Sequence, residues 1–196
     1  MKKIALLLFV LILCFNTNLF SDNNIKVKRI FEGNNDAKIT IIIYESLTCG
    51  HCADFHRNVY PELKKEFIDK GLVKIEFRHF PLDIAAFNAS KIAQCNNDGK
   101  SNLLHILYSN QPKWANGKTI KEINGRLKKL LKNEGINIDF EKCINNKNIE
   151  DYVLNDRIEG VNKFKVNATP TIIINDKKFN KSLNYKNLKK SLEKLI

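Results

Sequence analysis

The spacing of apolar and polar residues changes repeatedly along this chain, and each change predicts an element. Ile39-Thr40-Ile41-Ile42-Ile43-Tyr44 is β-branched and apolar, as a strand buried on both faces requires. Val73 to Phe80 alternates apolar with polar residues, the period of a strand. A shorter strand is expected at Ile25 to Ile30, followed by a turn at Asn34-Asn35-Asp36. Between the two long strands, Gly50 to about Lys70 reads as a helix closed by Gly71. Pro61 should kink or split it near Tyr60, because proline removes a backbone donor and its ring clashes with the preceding turn. From Asp83 to about Asn155 the spacing is helical, at Ile84, Ala85 and Phe87, then Leu103 to Tyr108, then Ile120 to Leu131. Strand character returns at Thr171-Ile172-Ile173-Ile174, turns at Asn175-Asp176 and ends at Lys178-Phe179. Leu188, Leu192 and Leu195 mark a closing amphipathic helix.

The beginning of the chain follows a different rule. Lys2-Lys3 precede an apolar run from Ile4 to Phe15, which gives way to Asn16-Thr17-Asn18. This is the layout of a secretory signal, and the run is shorter than the ~20 residues that span a bilayer. Cleavage after Ser21 is expected, with retention as a membrane anchor as the alternative. The pattern divides the chain into a signal at 1–21, an α/β domain made of 22–82 and 156–196, and a helical insertion at 83–155. A chain of 196 residues with 43% hydrophobic content can bury a full core. Its formal net charge of +12 raises the question of nucleic acid. The lysines are dispersed, however, as in Arg126-Leu127-Lys128-Lys129-Leu130-Leu131-Lys132, where they take the solvent face of an apolar stripe. A solvated surface is expected and no nucleic-acid partner.

Chemistry enters at Cys49-Gly50-His51-Cys52. The motif follows the central strand and opens a helix, so Cys49 sits where unpaired N–H groups and the helix dipole favour a thiolate. A protonated His51 would act in the same direction. Cys49 and Cys52 are therefore the candidate redox pair, with Gly50 and His51 as the residues that tune it. Haem attachment is excluded because position 53 is Ala where His is required, and zinc would need two further ligands that no second Cys-x-x-Cys or His pair supplies. No metal and no cofactor are expected. Removal of 1–21 would discard Cys14 and leave an even number of cysteines, so Cys95 is available to pair with Cys143. Two buried free thiols are the alternative.

The order of elements, with Ser46-Leu47-Thr48-Cys49-Gly50-His51-Cys52-Ala53-Asp54-Phe55-His56, Arg78-His79-Phe80-Pro81-Leu82 and Val166-Asn167-Ala168-Thr169-Pro170-Thr171, resembles the periplasmic disulfide-oxidase (DsbA) family. The resemblance implies a thioredoxin-like α/β fold with an inserted helical domain. It further implies a cis Pro170 that, with Thr169, holds a substrate peptide beside Cys49, and a structural disulfide between Cys95 and Cys143. The implied substrates are reduced, cysteine-containing secreted proteins, and the implied reoxidant is a quinone-linked membrane oxidoreductase. A periplasmic monomer is expected. Two positions depart from the family pattern: Gly50 stands where many of these oxidases carry proline, and Ile43 where a buried acid is common. Glu45, two residues on and on the same strand face as position 43, is the candidate for proton transfer to Cys52, against a reading as a solvent-facing carboxylate. A disulfide isomerase or reductase is the alternative activity, and a peptide-binding chaperone module a more distant one. His56, His79, His105 and Trp114 are expected to serve packing.

Overall fold

The structure, a computed structural model, describes residues 26–196. The expected signal at 1–21 lies outside these residues. A sheet in the order β1-β3-β2-β4-β5 forms the frame, from β1 (Ile30–Glu32), β2 (Ile39–Glu45), β3 (Val73–His79), β4 (Thr171–Ile174) and β5 (Lys177–Lys178). β2 is central: it pairs parallel with β3, Ile43 opposite Phe77, and antiparallel with β4, Ile43 opposite Ile172. Having neighbours on both edges and cover on both faces explains its unbroken apolar run. On β3 the alternation is realised, with Val73, Ile75, Phe77 and His79 buried and the residues between them half-buried. Asn175 and Asp176 both take positive φ, the backbone that a tight β4–β5 hairpin requires.

Helix α1 (Gly50–Asn58) follows β2 directly, and Val59 separates it from α2 (Tyr60–Leu63), whose first turn holds Pro61. The split falls where proline cannot continue the hydrogen-bond ladder. A π-helical turn at Lys64–Ile68 completes the segment. The helices α3 (Ile84–Gln94), α4 (Asn102–Ser109), α5 (Gln111–Trp114), α6 (Ile120–Asn133) and α7 (Phe140–Ile144) form the insertion. Trp114 is fully buried there, its Nε1–H donating to the Leu107 carbonyl at 2.9 Å. The insertion has no core of its own: Leu107, Trp114, Leu127 and Leu131 belong to the same apolar cluster as Ile41, Ile43 and Phe77 of the sheet. Cys95, just past α3, is joined to Cys143 of α7 by a disulfide with Cα atoms 5.5 Å apart.

Helix α8 (Lys147–Phe164) returns the chain to the sheet, and the division expected at 155/156 falls inside it. The helix comes close because Gly160 faces Tyr44 of β2, where a Cβ would lie 2.8 Å from the ring. Asp156, buried on the same helix, accepts from the His79 N–H at 3.0 Å and pairs with Arg29. α9 (Tyr185–Leu192) closes the fold, with Leu188 and Leu192 buried.

Three expected bounds are corrected. The first strand is Ile30–Glu32 where Ile25 to Ile30 was expected, because the Lys28 N–H donates to Asn97 Oδ1 at 2.6 Å and the Lys28 carbonyl accepts from Gln94 Nε2 at 2.6 Å, which keeps Lys28 out of the ladder. The last strand is Lys177–Lys178 instead of Lys178-Phe179, although the Phe179 N–H still reaches the Ile172 carbonyl. Leu195 lies beyond the closing helix and is exposed. Among the described residues, no helix is long and apolar enough to cross a membrane.

Candidate active site

Cys49 is the N-cap of α1, with extended backbone angles, φ −76° and ψ 119°. Its Sγ accepts from the Cys52 N–H at 3.4 Å, the interaction a Ser or Asp cap would make. The loop that presents it is fixed from several sides. The Cys49 N–H donates to the Ser46 carbonyl at 3.0 Å, and the Thr48 hydroxyl donates to Asp83 Oδ2 at 2.7 Å, while Asp83 Oδ1 caps α3 by accepting from the Ala86 N–H. From the insertion, Gln111 Nε2 donates to the carbonyls of Leu47 at 2.8 Å and Cys49 at 3.0 Å.

The two sulfurs occupy unlike surroundings. Both are free thiols in this structure, Cys49 half-buried and Cys52 buried. The Cys52 thiol donates to the Cys49 sulfur and does most to hold it as thiolate; burial opposes this, and the Thr169 side chain and the N–H groups of Cys52 and His51 add to it. Together they lower Cys49 to about 5. Burial pushes the Cys52 thiol far above its ordinary value, and its hydrogen bond to Cys49 and the charge of Glu45 push in the same direction.

Opposite the cysteines, the Thr169–Pro170 peptide is cis, and the Thr169 carbonyl accepts from the Cys49 thiol at 3.3 Å. The Thr169 hydroxyl beside them is buried with no hydrogen-bond partner. A cavity of about 510 Å³ opens beside this loop, walled by His51, Phe55, Val59, Thr169, Pro170 and Tyr185. The His51 ring stands in solvent, 89% exposed and 4.0 Å from Asp54 Oδ2, so its contribution at the sulfur comes through its backbone N–H. The Gly50 position is open, with no atom within 4 Å of where a Cβ would stand. Among the described residues, no group of His, Cys, Asp and Glu is placed to hold a metal ion.

A family model described as thioredoxin matches residues 26–194. The crystal structure of Wolbachia pipientis alpha-DsbA1 superposes with a TM-score of 0.75 at 31% identity, covering 85% of this chain and 90% of that one. The chain belongs to the DsbA-like branch of the thioredoxin family. BdbD from Bacillus subtilis, solved in the oxidised form, is similar at 25% identity with a TM-score of 0.69, over 85% of this chain and 92% of that one. A putative protein-disulfide oxidoreductase of Rickettsia bellii is 29% identical over 148 residues, 73% of this chain and 55% of the relative. The chain thus spans about half the length of that curated relative.

Around the cysteines of this DsbA-like protein lie Glu45, expected either to transfer a proton or to face solvent, and histidines to which sequence reasoning gave only packing roles. Glu45 is not a surface carboxylate: it is 2% exposed, and its Oε2 meets His56 Nε2 at 2.8 Å. His56 Nδ1 lies 3.1 Å from His105 Nδ1, and His105 Nε2 lies 2.7 Å from Glu32 Oε1. His79 Nε2 meets Gln94 Oε1 at 3.2 Å, and its burial lowers its pKa. Each histidine therefore has a polar partner distant in sequence, which no local spacing announces. Gln111 was missed for the same reason.

Proposed function

We propose that the protein is an exported thiol:disulfide oxidoreductase that gives its Cys49–Cys52 disulfide to reduced, cysteine-containing secreted proteins. The observation that carries this reading is the opposed ionisation of the pair, with Cys49 near 5 and Cys52 far above its ordinary value. A substrate thiolate attacks the Cys49 sulfur, forming a mixed disulfide and expelling Cys52 as a thiolate that takes up a proton. A second substrate thiolate then attacks the substrate sulfur and releases Cys49, which leaves readily because it is stable as an anion. Two electrons pass from substrate to protein, one proton stays on Cys52, and the other substrate proton goes to solvent. Thr169 and Pro170 position the substrate backbone at the edge of the cavity, Gly50 and His51 set the potential, and Glu45 supplies the Cys52 proton.

Residues 1–21 act as an export signal to the periplasm in this reading, 22–82 and 156–196 as the exchange domain, and 83–155 as the helical insertion, whose Cys95–Cys143 bond is structural. The protein acts as a monomer without a cofactor, and a quinone-linked membrane oxidoreductase restores its disulfide. The names of the Wolbachia, Bacillus and Rickettsia relatives support the class of reaction.

Equilibration with glutathione tests the direction of transfer. A potential above about −180 mV is expected for an oxidase. A value near thioredoxin's roughly −270 mV would favour the reductase alternative that the Gly50-His51 pair leaves open.

A further inference from the structure

The thiolate that Cys52 becomes during exchange is buried, so its proton must come through protein. We propose that Glu45, His56 and His105, anchored by Glu32, form a relay that carries this proton inward from His105, in the wall of a cavity that shares no lining residue with the one beside Thr169. The inference rests on Cys49 and Cys52 being an exchanging pair and adds the source and path of the proton.

The contacts form an unbroken series: Glu45 Oε2 to His56 Nε2 at 2.8 Å, His56 Nδ1 to His105 Nδ1 at 3.1 Å, and His105 Nε2 to Glu32 Oε1 at 2.7 Å. Both imidazoles are bound through both ring nitrogens, so each can accept a proton at one atom while releasing one from the other. Two nitrogens facing each other at hydrogen-bond distance require one proton between them. At the inner end, Glu45 Oε1 is buried with no partner, and Cys52 and Tyr108 lie near enough that ionisation of Glu45 acts on both. Stacking of the Tyr108 ring on His56, with centroids 4.0 Å apart, keeps that imidazole in place.

The outer end borders open space. His105 is 26% exposed and lines a cavity of about 610 Å³ together with Glu32, Tyr60, Lys64 and Ser101, none of which borders the cavity beside Thr169. Glu32 is held as a carboxylate, its pKa about 2: burial alone would raise it, but hydrogen bonds from His105, Ser101 and Tyr60 outweigh that. Lys64 Nζ stands 3.7 Å away.

One transfer then runs as follows. Glu45 gives its Oε1 proton to the Cys52 thiolate, His56 gives its Nε2 proton to Glu45 Oε2, and His105 gives its Nδ1 proton to His56 Nδ1. Each of the connecting hydrogen bonds holds one proton before and after. The positive charge lost is that of His105, and the return transfer gives it back. Reoxidation runs the same path outward.

The test is the rate at which dithiothreitol reduces the oxidised protein near pH 7, followed by acid quench and thiol alkylation. His105→Gln keeps polar contacts but cannot pass a proton between its two ends. It is expected to slow reduction at least about tenfold, a fraction of the roughly 100-fold or more that general acid–base assistance supplies, while the glutathione equilibrium constant moves less than about threefold. In His105→Ala, added imidazole is expected to restore the rate through the open cavity, which a purely structural loss would not allow. Should His105→Ala fail to fold, the His105→Gln rate decides. A His105→Gln rate equal to wild type overturns the relay alone, whereas a wild-type protein that dithiothreitol does not reduce overturns the exchange reading itself.

Discussion

The two cysteine pairs of this protein show how surroundings divide one chemistry into two uses. Cys95 and Cys143 are bonded to each other between the end of α3 and α7, with Cys143 only 1% exposed in the apolar core. Cys49 and Cys52 lie at a helix start, one half-buried among donors and the other sealed beneath it near a carboxylate. A disulfide in the first place closes a long loop and gains from the chain entropy it removes. A disulfide in the second place competes with a reduced form in which one sulfur is already comfortable as an anion. The difference lies in which protonation states the surroundings permit, not in the bond itself.

Removing either pair separates the two uses. Cys49→Ser should bring disulfide transfer to a reduced peptide down to the uncatalysed background, and the Cys95–Cys143 bond should stay formed. The double variant Cys95→Ala with Cys143→Ala should do the reverse, costing about 2–4 kcal/mol in urea unfolding while the Cys49 reactivity profile stays in place. A double variant with lost reactivity and full stability would erase the distinction.

Acidity sharpens the comparison further, because only the first pair titrates. A thiol lowered to about 5 on folding, from an ordinary value near 9, stabilises the reduced fold fully above that ordinary value. The contribution shrinks as pH falls and is lost on passing through 5. At pH 7 it amounts to about 1–2 kcal/mol once solvent screening of a half-buried group is allowed for. Reduced wild type should therefore lose that much more stability than reduced Cys49→Ser between neutral pH and about pH 5. Equal losses would mean that folding does not favour the thiolate. The smallest effect is expected from Gly50→Pro, because position 50 is the first residue of α1 and the space around it is open. Proline is suited to a first helical position, so the variant should gain about 0.4–1 kcal/mol and keep the donors on Cys49, which come from residues 51 and 52. A destabilised Gly50→Pro would show that the loop needs glycine's backbone freedom.

Local pattern carried much of the fold. The β-branched run of β2, the alternation of β3, the break at Pro61 and the helix start at Cys49 each depend on near neighbours, and each was legible. The rest depends on what faces what. Glu45 and His56 meet because α1 folds back along the strand that precedes it, and His105 reaches Glu32 from 73 positions away. Gln111 comes from the insertion to hold the Cys49 loop, 62 positions away. Periodicity tells which face of an element is buried, but not which polar group it meets there. Lys28 shows the converse failure: its neighbourhood reads as strand, yet side chains at the end of α3 and just past it take its backbone hydrogen bonds.

The direct test of the thiolate is alkylation of the reduced protein with iodoacetamide as a function of pH, with peptide mapping to assign the modified sulfur. Cys49 should react with a midpoint near 5, and Cys52 should stay unmodified across the range. A Cys49 midpoint near 9, the ordinary value of the thiol, would contradict the account at its root.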